Sequence, residues 1–210
     1  GEYTVRLSAE NALGRYERDL RIVVGDEIAL TPPMGWNSWN CWARDVTQEQ
    51  ILSSARAMVE KGLADHGWSY INIDDGWQGR RGGRYNAIQP NKKFPDMAAL
   101  TREIHDMGLR VGIYSTPWIG TYAAHIGSYS DRPDGENEWI EKGLHNENYR
   151  YQKPGGNYWE DRCEVWHHGP YSFVEADVKQ WAEWGIDYLK YDWHPLNYYH
   201  VREMFDMLRK

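Results

Sequence analysis

A lysine and an aspartate two positions apart end a short apolar run at residues 185–192. Alternate residues of a β-strand share a face, so Lys190 and Asp192 would point the same way, with Lys190 deeper in the fold. A cation beside a carboxylate favours the ionised form, and an ionised aspartate can act as a nucleophile or stabilise positive charge. An ordinary ion pair at a strand end is the alternative, because structural pairs also perturb pKa values.

The unit that carries this pair occurs three times in the sequence. Each copy is a glycine, an apolar strand and a polar tip, and the copies are residues 67–74, 108–115 and 185–192. Each copy follows a helical pattern of apolar residues. A further short strand is predicted at residues 34–37, ahead of the first helix. The order βαβαβαβα predicts a parallel sheet with right-handed crossovers.

Two of the predicted helices begin with a capping box. In this motif a Ser or Thr hydroxyl accepts from the backbone amide three residues later, and the Glu or Gln side chain at that later position accepts from the backbone amide of the Ser or Thr. These boxes are Thr47 with Gln50 and Ser172 with Glu175. The other two helices are predicted to begin near Asp96 and near residue 196. All four helices then carry apolar residues at helical spacing, as expected for helices that cover a sheet.

The polar tips lie at the carboxyl ends of the strands. Both main parallel α/β architectures, the barrel and the doubly wound sheet, have their catalytic and ligand-binding residues there. A dinucleotide-binding fold would have a glycine-rich turn after the first strand, but residues 36–41 contain no glycine. The sequence therefore predicts an α/β fold of the (β/α)8 TIM-barrel type. Four βα units are half of such a barrel, so we expect the chain to be a fragment that the rest of the same polypeptide completes beyond Lys210.

The first residues of the chain have a different pattern. Tyr3, Val5 and Leu7 alternate with polar residues, as do Leu20 and Ile22 across a turn-forming segment, which is typical of a β-hairpin. A lone hairpin is marginally stable, so we interpret it as the C-terminal end of a β-sandwich. The predicted domains are residues 1–28, the end of an Ig-like sandwich module, and residues 29–210, the half-barrel.

Composition excludes several classes of partner. The chain has 24 Lys and Arg against 31 Asp and Glu, without a basic run, so a nucleic-acid partner is not expected. No stretch has the length of a membrane span, and no leader is visible at Gly1. The 12 Trp and 15 Tyr suit a protein that stacks sugar rings, or one whose aromatic residues pack in interfaces.

Four ordered motifs resemble the α-galactosidases of glycoside hydrolase family 27, with family 36 as a relative. They are residues 31–40 (TPPMGWNSWN), 72–77 (NIDDGW), 112–115 (GIYS) and 188–192 (YLKYD). The resemblance covers about residues 30 to 210. It implies a barrel enzyme that hydrolyses terminal α-D-galactosides of oligosaccharides or glycoconjugates with retention of configuration, without a cofactor or a metal ion.

On the same match, Asp192 is the nucleophile that forms the glycosyl-enzyme intermediate. The resemblance places five residues around the terminal sugar as substrate-binding residues: Trp36, Asp74, Asp75, Tyr114 and Lys190. Retaining hydrolysis also needs a second carboxyl group, which protonates the leaving oxygen. In the family that residue lies on a later strand, and Glu175 and Asp177 are explained as first-turn residues of a helix. We therefore expect this polypeptide alone to be inactive and poorly folded.

Asp74 and Asp75 together favour a sugar with hydroxyl groups at carbons 4 and 6, hence galactose. Two alternatives stay open: a family member acting on α-N-acetylgalactosaminides or β-L-arabinopyranosides, and a carbohydrate-binding or degenerate non-catalytic module. A metal-dependent hydrolase using both aspartates and a histidine is a minor further idea. The family and the Ig-like module suggest a secreted or periplasmic protein.

The connection between Tyr114 and Ser172 is unusually long and rich in aromatic residues, so it could form sites for sugars beyond the scissile bond. Within it, His167 and His168 lack a spaced carboxylate partner and are not expected to bind metal. Cys41 matches a family cysteine whose usual partner position is Gly76 here. We therefore expect Cys41 and Cys163 to be free thiols.

Overall fold

The computed structural model describes residues 2–23, 33–136, 168–192 and 198–208. It divides into two compact units, Gly1–Pro33 and Met34–Lys210. The predicted boundary near residue 28 falls outside the described residues and stays a prediction.

The first unit contains one antiparallel hairpin, formed by β1 (Glu2–Asn11) and β2 (Gly14–Val23). Tyr3 lies opposite Ile22, so the alternating apolar side chains of both strands fall on one face of the hairpin. The hairpin that the sequence predicts is thus present. Membership in an Ig-like sandwich stays a prediction, since a hairpin of this kind occurs in many β folds.

The second unit alternates strands and helices. Its strands are β3 (Gly35–Asn37), β4 (Tyr70–Ile73), β5 (Gln78–Gly82), β6 (Ala87–Pro90), β7 (Arg110–Ser115), β8 (Tyr129–Ser130), β9 (Tyr171–Ser172) and β10 (Tyr188–Tyr191). Its helices are α1 (Trp39–Trp42), α2 (Gln48–Glu60), α3 (Met97–Asp106), α4 (Val174–Trp184) and α5 (Tyr198–Leu208). Short 3-10 turns occupy Ala43–Asp45 and Ala64–His66. Among the described helices, none has the length and apolar character needed to cross a membrane.

The four predicted strands form one parallel sheet in the order β10-β7-β4-β3. Neighbouring strands in this sheet are consecutive βα units, as expected when a helix returns the chain to the adjacent position. The structure adds two small antiparallel pairs that sequence patterns did not predict, β5 with β6 and β8 with β9. The sheet is the four-stranded part of the fold that the sequence predicts, and closure into a barrel of eight strands stays a proposal.

The hydrophobic core lies between one face of this sheet and the helices. Ile71 and Ile73 of β4 and Val111 and Ile113 of β7 are fully buried and belong to one core cluster with apolar residues of α2, α3 and α4. Because side chains alternate along a strand, the residues between them face the other way. The opposite face of the sheet is therefore free to carry polar groups.

The observed N-termini of α2 and α3 agree with the sequence predictions, and the N-terminus of α4 differs. At α2, the Thr47 hydroxyl accepts from the Gln50 amide and the Gln50 side chain accepts from the Thr47 amide, so the predicted capping box is confirmed. Asp96 caps α3 by accepting from the Ala99 amide at 2.8 Å. The capping box predicted for α4 is wrong. Ser172 belongs to β9 and donates its hydroxyl hydrogen to Glu203, leaving α4 without a side-chain cap.

The capping box at α2 gives a first testable expectation. Thr47→Ala removes the acceptor for an otherwise unpaired helix amide, which should lower the free energy of unfolding by about 1 kcal/mol. Urea unfolding of the full-length protein would measure it. Thr47→Ser keeps the hydroxyl and is the matched control. Equal midpoints for the alanine and serine variants would contradict the role assigned to this cap.

A buried ion pair fastens the β5–β6 hairpin to α4. Arg81 of β5 donates from both terminal nitrogens to Asp177, at 2.6 and 3.1 Å, and the side chains are 2% and 0% exposed. Arg81 also donates to the Gly127 carbonyl and lies 4.3 Å from the centre of the Phe173 ring. Asp177 further accepts from the Ile88 amide at 2.9 Å. Both charges are thus compensated in the core.

Candidate active site

The polar face of the sheet brings the predicted strand tips together. Ile73 pairs with Ile113 and Tyr114 pairs with Lys190, so Asp74, Tyr114 and Lys190 form one row across three adjacent strands. Partners in a parallel sheet share a face, so these three side chains project from the same side. Tyr114 therefore points to the same side as Asp74 and Lys190.

Lys190 is the cation of this row and lies at its β10 end. Its Nζ lies 2.7 Å from Asp74 Oδ2 and 3.6 Å from Asp192 Oδ2. It also sits 5.1 Å from the centre of the Tyr114 ring, within the range of a cation–π contact. The predicted pairing of Lys190 with Asp192 is therefore secondary, because the closer ion pair is with Asp74, at the end of β4, two strands away across β7. Lys190 joins the two carboxylates.

Protein donors occupy most of the hydrogen-bonding positions of the Asp74 carboxylate. It is 2% exposed, and its Oδ2 accepts from Asn37 Nδ2 at 2.6 Å as well as from Lys190. Its Oδ1 accepts from the Asp75 amide at 2.8 Å, and its own amide donates to the Ser38 hydroxyl. This fixes the carboxylate plane. Since a carboxylate has about four lone-pair positions, one remains for a ligand hydroxyl.

Asp75 points into a turn that follows β7. It is 1% exposed, accepting from the Thr121 hydroxyl at 2.8 Å and the Ala123 amide at 2.5 Å. His125 Nδ1 lies 3.4 Å from Asp75 Oδ1. Asp75 thus holds one backbone amide and one hydroxyl of this turn, which also has two backbone hydrogen bonds of its own. Asp75 consequently has a structural role as well as a place in the cavity wall.

Tyr114 presents a phenol O–H group without a hydrogen-bond acceptor. The residue is fully buried, and the backbone amide of Tyr122 is the group that approaches its oxygen as a donor, so its O–H group has no acceptor within the described part of the chain. Burial first, and then the negative charges of Asp75, Asp192 and Asp74, raise the pKa of Tyr114 well above its usual range. The group stays a neutral O–H donor at physiological pH. A buried hydroxyl left unpaired costs free energy, so this donor is poised for a ligand oxygen.

Asp192 follows the last residue of β10. Its amide donates to the Ser115 carbonyl at 3.0 Å, which continues the ladder with β7 by one residue. Its side chain is 36% exposed, against 2% for Asp74. Of Asp74 and Asp192, the two carboxylates that Lys190 joins, Asp192 is therefore the one that an incoming molecule can reach.

These groups surround a cavity of about 180 Å³. Seven described residues line it: Trp39, Asp74, Asp75, Tyr114, Tyr122, Lys190 and Asp192. Trp39 and Tyr122 meet edge to face, with ring centres 5.6 Å apart and planes at 86°, and form its aromatic wall. Five of the six site residues predicted from the sequence thus lie together.

The sixth, Trp36, needs a correction. Trp36 pairs with Ile71 in the sheet and packs against the hydrophobic core, so it faces the helices. Trp39, three residues later in the same motif, lies at the cavity instead. The sequence showed both tryptophans, but the short β3 and the turn into α1 decide which one reaches the cavity.

Other sequence candidates lie elsewhere or have other partners. Glu175 pairs with Lys179 on the surface of α4, and Asp177 with the buried guanidinium described above. His168 Nδ1 lies 2.5 Å from the Pro117 carbonyl, and Trp118 donates to His168 Nε2, so an Nδ1–H tautomer satisfies both contacts. Within the described ranges, no group of three side chains could hold a metal ion.

The cysteines and the long loop are described only in part. Cys41 is an exposed free thiol, and Gly76 has a φ of +116°, where a Cβ would lie 2.7 Å from the Arg44 carbonyl oxygen. Gly76 therefore accommodates a close approach that a cysteine at this position would obstruct. Cys163 and the loop aromatic residues from Trp139 to Trp166 lie outside the described residues.

Chemically, the cavity combines three carboxylates, one ammonium group, one unpaired phenol and an aromatic wall. Charge-assisted acceptors and donors of this kind bind and orient a small polyhydroxylated ligand. The accessible Asp192 could bond covalently to an electrophilic carbon of that ligand. Sequence patterns missed the supporting residues Asn37, Ser38 and Thr121, because their roles depend on contacts between separate loops.

Comparisons with known proteins identify the family of the chain. Residues 31–145 match the family described as Alpha galactosidase A. Over 170 residues the chain is 35% identical to alpha-galactosidase A from Cellvibrio japonicus, an alignment covering 80% of this chain and 31% of that protein. It is 31% identical over 167 residues to a Dictyostelium discoideum protein named as an alpha-galactosidase, of which it covers 32%. The chain thus spans about a third of the length of the curated relatives it matches.

Solved structures give the same similarity. The crystal structure of alpha-galactosidase I from Mortierella vinacea aligns with a TM-score of 0.62 at 29% identity, over 89% of this chain and 39% of that one. The alpha-galactosidase of Saccharomyces cerevisiae, solved with raffinose, aligns with a TM-score of 0.61 at 25% identity, over 86% of this chain and 33% of that one.

Proposed function

Since the chain belongs to the Alpha galactosidase A family, we propose that its second unit is part of the (β/α)8 barrel of a retaining, exo-acting α-galactosidase, with Asp192 as nucleophile. One observation carries the proposal. Asp192 is the reachable carboxylate of a cavity whose other groups, Asp74, Tyr114 and Lys190, suit the hydroxyls of one sugar ring. The raffinose complex of the yeast relative supports a galactoside as the substrate.

In the proposed first step, an Asp192 carboxylate oxygen forms a bond to the anomeric carbon while the bond from that carbon to the leaving oxygen breaks. The leaving oxygen takes a proton from a carboxylic acid. In the second step that group removes a proton from water, the water oxygen attacks the anomeric carbon, and Asp192 is released. Lys190 stabilises the anionic form of Asp192 before attack and after release.

The remaining cavity groups position the sugar. Asp74 and Asp75 accept hydroxyl hydrogens, and Lys190 and Tyr114 donate to hydroxyl oxygens. Trp39 and Tyr122 offer flat apolar faces for the C–H side of the ring. With both aspartates fixed by protein donors, the site distinguishes hydroxyl orientations rather than adapting to them.

Tyr114 allows a kinetic test of this positioning. We expect Tyr114→Phe in the full-length protein to lower kcat/KM for an aryl α-galactoside about tenfold, the worth of roughly one hydrogen bond to the ligand. The variant should be at least as stable as the parent, because it removes a buried, unpaired hydroxyl. Tyr85→Phe removes a phenol remote from the cavity and should leave the kinetics unchanged. A less stable Tyr114→Phe with unaltered kinetics would contradict the assignment.

We propose that the proton donor lies in the remainder of the full protein. The described carboxylates that line the cavity are Asp74, Asp75 and Asp192, and the first two are engaged by protein donors. The 210-residue chain alone should therefore not cleave an aryl α-galactoside. Cleavage by this chain at a rate abolished by Asp192→Asn would contradict that proposal.

Covalent trapping tests the proposed function directly. A 2-deoxy-2-fluoro galactosyl reagent slows release of the intermediate, so the full-length protein should accumulate a label on Asp192, located by peptide mass analysis. Label on another residue, or none with an active protein, would refute the mechanism. An inactive protein that binds galactosides would indicate a non-catalytic module. Comparison of aryl α-galactoside, α-N-acetylgalactosaminide and β-L-arabinopyranoside rates would establish the sugar.

The cellular setting is part of the same proposal. We propose that the protein is secreted or periplasmic and acts on oligosaccharides or glycoconjugates that end in α-galactose, with the first unit forming the end of an Ig-like module. Fractionation of the native host cells, followed by detection of the full-length protein, would test the location. Accumulation in the cytoplasm would contradict it.

A further inference from the structure

A second, larger cavity lies beside the first. Its volume is about 320 Å³, and it is bounded by β5, by the segment that follows β6 and by His125 with Ile126. His125 is shared, because it lines this cavity while its Nδ1 lies 3.4 Å from Asp75 of the first one. Nothing in the proposed hydrolysis uses this second cavity, which we call the β5 cavity.

Gln78, which lines the β5 cavity, has a buried donor without a hydrogen-bond partner in the described structure. Gln78 is 3% exposed, and its Oε1 accepts from the Gly76 amide at 3.0 Å. That bond fixes the orientation of the side-chain amide, since the nitrogen cannot accept from Gly76. Gln78 Nε2 is then left buried with no hydrogen bond in the described structure. A buried amide donor of this kind costs free energy unless a ligand oxygen meets it.

The charged side chains that line the β5 cavity are all cationic. Arg80 and Lys92 line the β5 cavity and are exposed, and Lys93 lines it while its ammonium group donates to the Arg44 carbonyl. No Asp or Glu is among the described residues that line it. The chain as a whole carries a net charge of −7, so this cluster is positively charged on a protein whose net charge is negative.

The two cavities therefore differ in the ligand atoms they suit. The first has three carboxylates and takes hydroxyl donors, whereas the second has an amide donor, a guanidinium and ammonium groups and takes oxygen acceptors. Cations with a fixed N–H donor match the charge and geometry of an oxyanion. Asp75 does not line the β5 cavity and accepts hydrogen bonds from Thr121 and Ala123, although its charge and that of Asp45 act on Lys93.

We propose that the β5 cavity binds an oxyanion, a carboxylate or sulfate group, through Gln78 Nε2, Arg80 and Lys92. The anion comes either from an acidic saccharide or from free inorganic anion. Arg80 and Lys92 supply attraction at the mouth, and Gln78 supplies the buried hydrogen bond that selects an oxygen. The proposal concerns binding and stands independently of the hydrolytic activity of the first cavity.

Calorimetric titration of the full-length protein tests the proposal, at constant ionic strength, with inorganic sulfate and with glucuronate as probes. We expect at least one probe to bind, and the double variant Arg80→Ala with Lys92→Ala to bind it about tenfold more weakly. The control is Arg102→Ala with Lys61→Ala, which removes the same charge from exposed positions away from the cavity. Neither double variant should change activity on a neutral aryl α-galactoside.

Gln78→Glu is the sharper variant. It keeps an oxygen to accept from Gly76 and replaces the unpaired donor with a carboxylate oxygen, so anion binding should be lost while the fold is retained. Binding of sulfate alone would assign the site to inorganic anion, and binding of glucuronate would assign it to an acidic saccharide. No binding of either probe, or equal weakening in the control and test variants, would overturn the proposal.

Discussion

Asp192→Asn should lower kcat of the full-length protein on an aryl α-galactoside by at least about 10⁴-fold, the scale of losing a covalent nucleophile. The amide matches the carboxylate in shape but cannot supply an electron pair of comparable nucleophilicity to the anomeric carbon. The protein should stay folded, because Lys190 keeps its closer ion pair with Asp74. Steady-state kinetics together with a thermal melt measure both expectations.

Asp106→Asn is the matched control, because it makes the same chemical change at an exposed position on α3. That variant should retain the parent rate. Chemical rescue sharpens the test: azide added to Asp192→Ala, whose truncated side chain leaves room for a small anion, should restore turnover by attacking the anomeric carbon from the vacated side. An Asp192→Asn protein that keeps more than about a tenth of its rate, a cost of only ~1.4 kcal/mol, would exclude the nucleophile role.

Asp177→Ala should be the most destabilising single change among those considered, lowering the free energy of unfolding by about 3–5 kcal/mol. The substitution leaves the buried Arg81 guanidinium without its anion and the Ile88 amide without its acceptor. Arg81 would retain the Gly127 carbonyl and the Phe173 ring, which do not neutralise a positive charge. Urea unfolding of the full-length protein would measure the loss.

The double variant Arg81→Met with Asp177→Leu separates the cost of an unpaired charge from the worth of the pair. Because apolar residues of similar volume often replace a buried pair without loss, it should recover most of the stability. Arg56→Ala breaks an exposed pair with Glu103 and should leave the unfolding midpoint nearly unchanged. If Asp177→Ala unfolds at the same urea concentration as Arg56→Ala, the pair does not fasten the hairpin.

Local patterns in the sequence predicted most of the fold. The alternation of glycine, apolar strand and polar tip located three strands of the parallel sheet, and caps at Thr47 and Asp96 located two helix starts. These features depend on neighbours within a few residues, so a sequence displays them directly. The cap predicted at Ser172 failed because Ser172 is held in β9, one residue before the N-cap residue Phe173, where its oxygen accepts, among the described residues, only from the Val174 amide at 3.4 Å.

The features of the site also divide into those that the sequence predicts and those that only the tertiary structure decides. The sequence by itself determined the residue types at the strand tips, and its resemblance to the family 27 motifs predicted Asp74, Asp75, Tyr114, Lys190 and Asp192 as members of one site. Only the tertiary structure decided that Lys190 pairs more closely with Asp74 than with Asp192 and that Trp39 rather than Trp36 forms the wall. The physical reason is strand register. Period-two alternation fixes which face a residue takes within its own strand, but the stagger between neighbouring strands sets which residues meet across the sheet.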